Sequence, residues 1–477
     1  MFFNSQSFAL FLPIVFVLYW FVFNKTKNAQ NALLIVASYY FYSCWDWRFL
    51  FLLVFSTFLD YYTGIQIEKS THEKTRKFWF WLSISVNLGF LGIFKYYNFF
   101  AVSFSELVGG FGFQVSPLLV QVILPVGISF YTFHGLSYVI DIYYKRIKAE
   151  RNFVDYSLFV SYFPLLVAGP IERATHLLPQ VKVKRTFDFD KAKEGIYQIL
   201  WGLLKKVVIA DTCATYANAI FDHQAGMNSL SLLLGAVYFA FQIYGDFSGY
   251  SDMALGMSKL FGLDLLRNFN YPYFSRDIAE FWRRWHISLS SWFRDYVYIP
   301  LGGSKGSKAK QVRNVFVIFL LSGFWHGANW TFIAWGFINA LYFLPLLLRD
   351  KNRSNLEMVS LHWNWNSFKD ILRMVTTFGL TCLAWIFFRA KTIQGAFDYI
   401  IQMASNRKFA PQYLENERYS YEILLLLAVF IAVEWRYRNQ LEPLSGKYSW
   451  LKVGVCIAAI VALGTYSDYK EFIYFQF

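Results

Sequence analysis

Two histidines lie in aromatic, apolar surroundings: His286 in Phe281-Trp-Arg-Arg-Trp-His-Ile-Ser-Leu-Ser-Ser-Trp-Phe-Arg294, and His326 in Leu320-Leu-Ser-Gly-Phe-Trp-His-Gly-Ala-Asn-Trp330. The second interrupts a hydrophobic run. A full charge at membrane depth costs about 2.5–3.5 kcal/mol or more, so an ionisable group there is a functional candidate by default. Imidazole escapes part of that cost because it can stay neutral near pH 7, the state a general base requires. The chemistry expected is therefore proton handling inside a membrane. Arg283, Arg284 and Arg294 flank His286. Guanidinium groups bind phosphate bidentately and would suit the approach of a phosphorylated acyl donor, but they equally serve as interfacial anchors that set topology. Asp246 and Asp252, in Tyr244-Gly-Asp-Phe-Ser-Gly-Tyr-Ser-Asp252, are costly if buried alone and are expected to be structural partners of arginines.

The elements that must position these residues are membrane elements. The chain is 56% hydrophobic and 22% aromatic and carries only 16% charged residues, against about 25% charged in a soluble domain. Its 477 residues contain no Pro/Gly/Ser-rich linker, and a single membrane domain over 1–477 is expected, in three stretches: N-terminal spans (1–152), a catalytic core with re-entrant helices (153–348), and C-terminal spans with a tail (349–477). Met1-Phe-Phe-Asn-Ser-Gln-Ser7 has no basic n-region and no small-residue cleavage site, so the first run reads as a retained helix. The net charge of +14 falls in short loops and forms no stripe, which points to topology and away from nucleic acid. Cys44, Cys213, Cys382 and Cys456 are dispersed without ligand spacing, so neither a disulfide framework nor a metal site is expected.

Apolar runs at Ser7–Phe23, Ala32–Trp45, Phe49–Ile67, Phe78–Phe94 and Leu118–His134 alternate with basic loops carrying Lys25, Lys27, Lys69, Lys74, Arg76, Lys77, Lys145, Arg146, Lys148 and Arg151. Positive loops stay in the cytoplasm, which puts the N-terminus outside; the spans Val375–Ala390, Glu422–Trp435 and Leu451–Thr465 bring the C-terminus outside as well. Between them, Phe153–Val167, Ile196–Ile209, Ser229–Ile243 and Asn314–Leu347 are apolar. Tyr271–Pro300 is too polar to face lipid and too aromatic for a free loop. Polar, broken backbone is tolerated at membrane depth only inside protein or along a cavity, so this stretch reads as short or re-entrant helices lining a funnel.

The motifs Arg283-Arg-Trp-His-Ile-Ser-Leu-Ser-Ser-Trp-Phe-Arg-Asp-Tyr-Val-Tyr-Ile-Pro-Leu-Gly-Gly303 and Ser322-Gly-Phe-Trp-His-Gly-Ala-Asn-Trp330 resemble the membrane-bound O-acyltransferase superfamily. More narrowly, they are similar to its bacterial branch of alginate and peptidoglycan O-acetyltransferase membrane subunits. Phe3-Asn-Ser, Phe163-Pro-Leu-Leu-Val-Ala-Gly-Pro-Ile-Glu172, the Asp246 motif and the ending Phe472-Ile-Tyr-Phe-Gln-Phe477 extend the likeness over nearly the whole chain. The resemblance implies an all-α polytopic fold of about 11–13 transmembrane or re-entrant helices around a tunnel, in a bacterial cytoplasmic membrane. It implies His326 as catalytic base and His286 in support, with either a chemical or a positioning role. It implies acetyl-CoA as acyl donor, no resident cofactor, a cell-envelope polysaccharide as acceptor, and a separate extracytoplasmic partner of the SGNH-hydrolase type. It also implies Tyr474 as a covalent acyl carrier, against the simpler role of interfacial anchor. D-alanyl transfer remains the alternative within the family, and a polysaccharide or lipid transporter the alternative outside it. The latter would also show broken polar helices, but no paired repeat halves are evident. His72, His134, His176, His223 and His362 fall mostly at loops or span ends and are expected to be structural.

Overall fold

A computed structural model describes residues 1–113, 116–120, 123–167, 169–359, 365–406, 413–414, 417–418, 422–440, 442–466 and 472–473. Their regular structure is helical apart from a two-residue pairing of Tyr413–Leu414 with Glu417–Arg418. Among the described residues, five helices are long and apolar enough to cross a membrane: Arg48–Lys69, Glu73–Gly109, Ser229–Leu260, Trp330–Leu348 and Ser367–Arg389. Exposed large apolar side chains such as Leu10, Phe21, Phe51, Phe104, Leu425 and Val461 lie on outward faces, the arrangement lipid requires and water opposes. The protein is a multi-pass membrane protein.

The residues group into two compact units, 1–196 with 254–266 and 197–253 with 267–477; the long helix Ser229–Leu260 contributes to both. In the first unit, Arg48–Lys69 packs on Glu73–Leu91 and on Ile128–Tyr143. Asp60 is buried there, and one of its carboxylate oxygens accepts from the Ser83 hydroxyl at 2.6 Å and the Asn87 amide at 2.8 Å. A buried carboxyl is tolerated when its acceptors are met in this way. The span expected at Leu118–His134 is displaced: the helix begins at Ile128 and runs to Tyr143. Pro125 and the left-handed Gly127 (φ 75°) stop any earlier start, because proline has no amide to donate and only glycine adopts that φ without strain. Phe153–Val167 also divides, into Phe153–Ser161 and Phe163–Leu166, with Pro164 in the first turn of the second. Neither piece is long enough to span.

The second unit holds both histidine motifs. The stretch expected to be short helices is so: a turn at Pro272–Phe274, helices Ile278–Arg284 and Ile287–Phe293, and a wide turn at Arg294–Tyr298. Asn314–Leu347 is two helices, Lys308–His326 and Trp330–Leu348, broken at Gly327–Asn329. Asn329 caps the second by accepting from the Thr331 amide at 3.0 Å. The pair packs backbone to backbone: a Cβ on Gly323 would come within 2.2 Å of the Phe332 carbonyl oxygen, and one on Gly336 within 2.3 Å of that of Phe319. Small residues at the crossing allow this close approach, and it fixes the helix end that carries His326.

Candidate active site

His326 is the last residue of its helix and His286 the residue that starts one. Both are buried, 3% and 1% exposed, and both line one cavity of about 360 Å³ together with Ser290, Ser322, Arg283, Arg294 and Arg353. The structure thus brings His286, His326, Arg283 and Arg294 of the sequence-predicted set to a single space.

Aromatic rings shape the environment of each imidazole. Around His326 stand Trp325, Trp335 and Phe388, with ring centroids 4.9, 5.1 and 5.2 Å away, all edge-on. Trp335 is itself stacked on Trp385 at 5.6 Å. His286 meets Phe247 edge-on at 4.6 Å and Trp325 at 5.9 Å, so the Trp325 indole touches both histidine rings. Neither ring nitrogen of His286 has a hydrogen-bond partner among the described residues. Buried polar atoms are nearly always paired, and two orphaned nitrogens on one cavity-lining ring mark a place where a ligand or ordered water completes the set.

His286 also carries a left-handed backbone, φ 43° and ψ 55°, a conformation that costs a non-glycine residue of order 1–3 kcal/mol and persists where neighbours over-determine it. Here the neighbours are Asn268 and Asn270. The Asn268 carbonyl accepts from the Ile287 amide and the Arg284 carbonyl from the Asn270 amide, both at 2.9 Å. The Asn268 side chain then accepts from the Ser288 hydroxyl at 2.5 Å and donates to the Ser251 hydroxyl at 3.1 Å.

The three arginines have different surroundings. Arg283 lines the cavity and donates to the carbonyls of Asn352 and Asn355 at 2.8 and 2.7 Å, strapping the 352–355 loop beside it. Arg294 lines the cavity too and pairs with Asp295 at 2.8 Å from an exposed position; such a pair is worth little and competes weakly with a ligand. Arg284 does not line the cavity. It is buried, and Glu280, also buried, holds it at 2.7 Å while accepting from Arg276 at 3.0 Å. Arg353 joins Arg283 and Arg294 on the lining. The strap from Arg283 to the carbonyls of Asn352 and Asn355 holds the backbone on either side of Arg353 beside the cavity.

Asp246 and Asp252 pair with lysines, where arginines were expected. Lys206 bridges Asp211 and Asp246 at 2.8 and 2.9 Å, and Lys205 holds Asp252 at 2.5 Å. The basic pair at 205–206 follows the apolar stretch 199–204 directly and carried no pattern linking it to the aspartates. His134 accepts from the Glu172 amide at 3.0 Å, and His176 faces the Glu172 carboxylate at 2.8 Å. That carboxylate contact raises the His176 pKa. Cys44 is exposed and the other three cysteines are buried; all four are free. Among the described residues no group of three His, Cys, Asp or Glu side chains could hold a metal. Tyr474 and His362 lie outside the described residues.

Imidazoles buried among aromatic rings, in a cavity whose lining also carries arginines, form a combination suited to transfer of an acyl group onto a hydroxyl. Comparison with known proteins points the same way. The model of the membrane-bound O-acyltransferase family matches residues 143–387, which include both histidine motifs. The chain is 41% identical over 398 residues to the probable alginate O-acetylase AlgI of Pseudomonas aeruginosa, covering 83% of this chain and 73% of that one. With its Azotobacter vinelandii counterpart it shares 39% identity over 94% and 87% of the two chains. With the peptidoglycan O-acetyltransferase of Helicobacter pylori it shares 35% over 83% and 78%. Motifs, helical architecture and these relatives agree: the chain belongs to the membrane-bound O-acyltransferase family and is an acyltransferase.

Proposed function

We propose that the enzyme moves an acetyl group from cytosolic acetyl-CoA toward hydroxyls of an extracytoplasmic cell-envelope polysaccharide, of the alginate or peptidoglycan kind named for its relatives. The observation that carries this reading is the shared cavity, with two imidazoles buried in it and Arg283, Arg294 and Arg353 on its lining. His326 accepts the hydroxyl proton as the oxygen attacks the thioester carbonyl. The new C–O bond forms, the C–S bond breaks, and the proton passes to the departing thiolate, giving an ester and free CoA thiol. A base must come within about 2.6–3.2 Å of the proton it takes; the ring of tryptophans and Phe388 excludes the water that would hydrolyse the thioester. The arginines meet the donor's phosphates. His286 presents two unpartnered nitrogens to the same space and serves the substrate carbonyl or hydroxyl by hydrogen bonding. Because the donor is inside and the polymer outside, a separate extracytoplasmic transferase of the SGNH-hydrolase type completes the transfer.

Mass analysis of envelope polymers from cells with and without the gene tests the reading. Acetyl esters are expected to disappear in the deletion and return with the wild-type gene. Loss of D-alanyl esters with acetyl esters intact would move the enzyme to the other acyl group, and unchanged esters of both kinds would refute acyl transfer to the envelope.

The orientation follows from the basic loops and belongs to the same proposal: a cytoplasmic membrane with both termini outside. In a chain with Cys44 replaced by serine, a cysteine introduced within 68–77 is expected to resist an impermeant thiol reagent in intact cells. One introduced beside Gly110 is expected to react. The reverse pattern would invert the direction of transfer.

A further inference from the structure

His286 is held in place without a hydrogen bond to either ring nitrogen among the described residues. Among the described residues ring packing is what orients it, and the nearest ring is Phe247 at 4.6 Å, edge-on. What fixes Phe247 fixes His286. Phe247 is backed by Phe269 at 4.9 Å and, at 6.0 Å, by Phe472 from the end of the chain. Phe472 is wholly buried and packs on Tyr250 at 4.6 Å.

The chain end is in turn held by a charge. Lys206 Nζ takes one oxygen of Asp246, at 2.9 Å, and also Asp211 at 2.8 Å. The second oxygen of Asp246 accepts from the Ile473 backbone amide at 2.7 Å, and Ile473 is 1% exposed. Burying a carboxylate is tolerated only when both its charge and its lone pairs are met; Lys206 meets the charge and the chain end meets the remaining oxygen. An amide bonded to a buried carboxylate is a charge-assisted contact, stronger than a neutral one.

We propose that Asp246 is a positioning residue for His286: by holding the Ile473 amide it seats Phe472 as a wedge behind Phe247, and the Phe247 edge sets the angle of the buried imidazole. The role attributed to His286 rests on the reading of the cavity as an acyl-transfer site. The wedge itself does not, and the two can fail separately. Misplacing a catalytic group by about 1 Å costs about a hundredfold in rate, so a wedge at one remove is worth testing at the level of tenfold effects.

The test uses the full-length protein in lipid nanodiscs, with acetyl-CoA as donor probe and diethyl pyrocarbonate, mapped by mass spectrometry, as a probe of His286. In Phe472→Ala, the His286 modification rate is expected to rise about tenfold or more, because its backing is lost and the ring becomes reachable. The kcat for CoA thiol release is expected to fall by about tenfold, with KM for acetyl-CoA unchanged. Phe472→Leu refills the space and is expected to restore protection and most of kcat. Asp246→Asn offers an NH2 or a weaker acceptor to the Ile473 amide and is expected to resemble Phe472→Ala. A chain ended after Ile473 keeps the wedge and is expected to protect His286 as the wild type does. Unchanged His286 modification in Phe472→Ala overturns the inference whatever the activity does. Wild-type thiol release from His326→Ala would instead refute the acyl-transfer reading, and the modification rates would still decide the wedge.

Discussion

Replacing His326 with alanine is expected to abolish polymer acylation while leaving an inserted, folded protein. The rate loss from deleting a general base is about 10²–10⁴-fold. The structural cost is bounded by what surrounds the ring: Trp325, Trp335 and Phe388 pack on it, but Trp335 is independently stacked on Trp385, and the Gly323–Gly336 crossing keeps the helix pair together without it. A second variant separates chemistry from packing. Glutamine at 326 keeps a polar side chain of similar size but has no group that takes a proton near neutral pH. Both variants are expected to lose activity alike, measured as acetyl esters per polymer repeat at matched expression. Near-normal product from His326→Gln would reduce His326 to a packing residue, and normal product from His326→Ala would remove it from the reaction.

Much of the candidate site is legible in the sequence, for a physical reason. Ionisable side chains are rare enough in apolar, aromatic stretches to stand out there, and His286, His326, Arg283 and Arg294 are all visible by that contrast; the cavity lining includes all four. Helical breaks were legible where their cause is local. The polar content of 271–300 announces short helices, whereas 314–347 reads as one apolar run and the structure divides it at Gly327–Asn329.

What was not legible depends on partners distant in sequence. Arg284 has the same composition and neighbourhood as Arg283. One turns to the cavity while the other is captured by Glu280, and only the i,i+4 geometry of the helix Ile278–Arg284 decides between them. The aspartates at 246 and 252 were expected to find arginines, the commoner buried cation, yet Lys205 and Lys206 from an adjoining turn supply the charge. The wide π-type turn at Lys205–Ala210 lies just there, and wide turns of this kind recur at functional sites in helices. The delayed start of the helix Ile128–Tyr143 has a different origin. Hydrophobic content alone cannot distinguish a lipid-facing helix from an apolar extended segment, and the stop signals at Pro125 and Gly127 outweigh it.

The second large effect is expected at Tyr474. We propose that its phenol carries the acetyl group between the cavity and the extracytoplasmic transferase. Ile473, the residue before it, is bonded through its amide to Asp246, and Phe472 packs on Phe247, the ring nearest His286. The chemistry suits a relay. A phenol is far more acidic than water or an aliphatic hydroxyl, so its acetyl ester is a more activated donor than a sugar ester and can pass the group onward downhill. In balanced form, the phenol oxygen attacks the thioester, His326 takes its proton, and CoA thiol leaves; an acceptor hydroxyl then displaces the phenol, which regains a proton. Tyr474→Phe keeps the ring and its apolar area but has no oxygen to acylate. The expected result is complete loss of polymer acetylation with membrane insertion, expression and His286 protection unchanged. Mass analysis of the C-terminal peptide should find an acetyl group on the wild-type tyrosine, absent in His326→Ala. If the tyrosine only anchors the chain at the interface, phenylalanine anchors it as well. Full polymer acetylation by Tyr474→Phe would therefore eliminate the relay and leave direct transfer from the cavity to the acceptor.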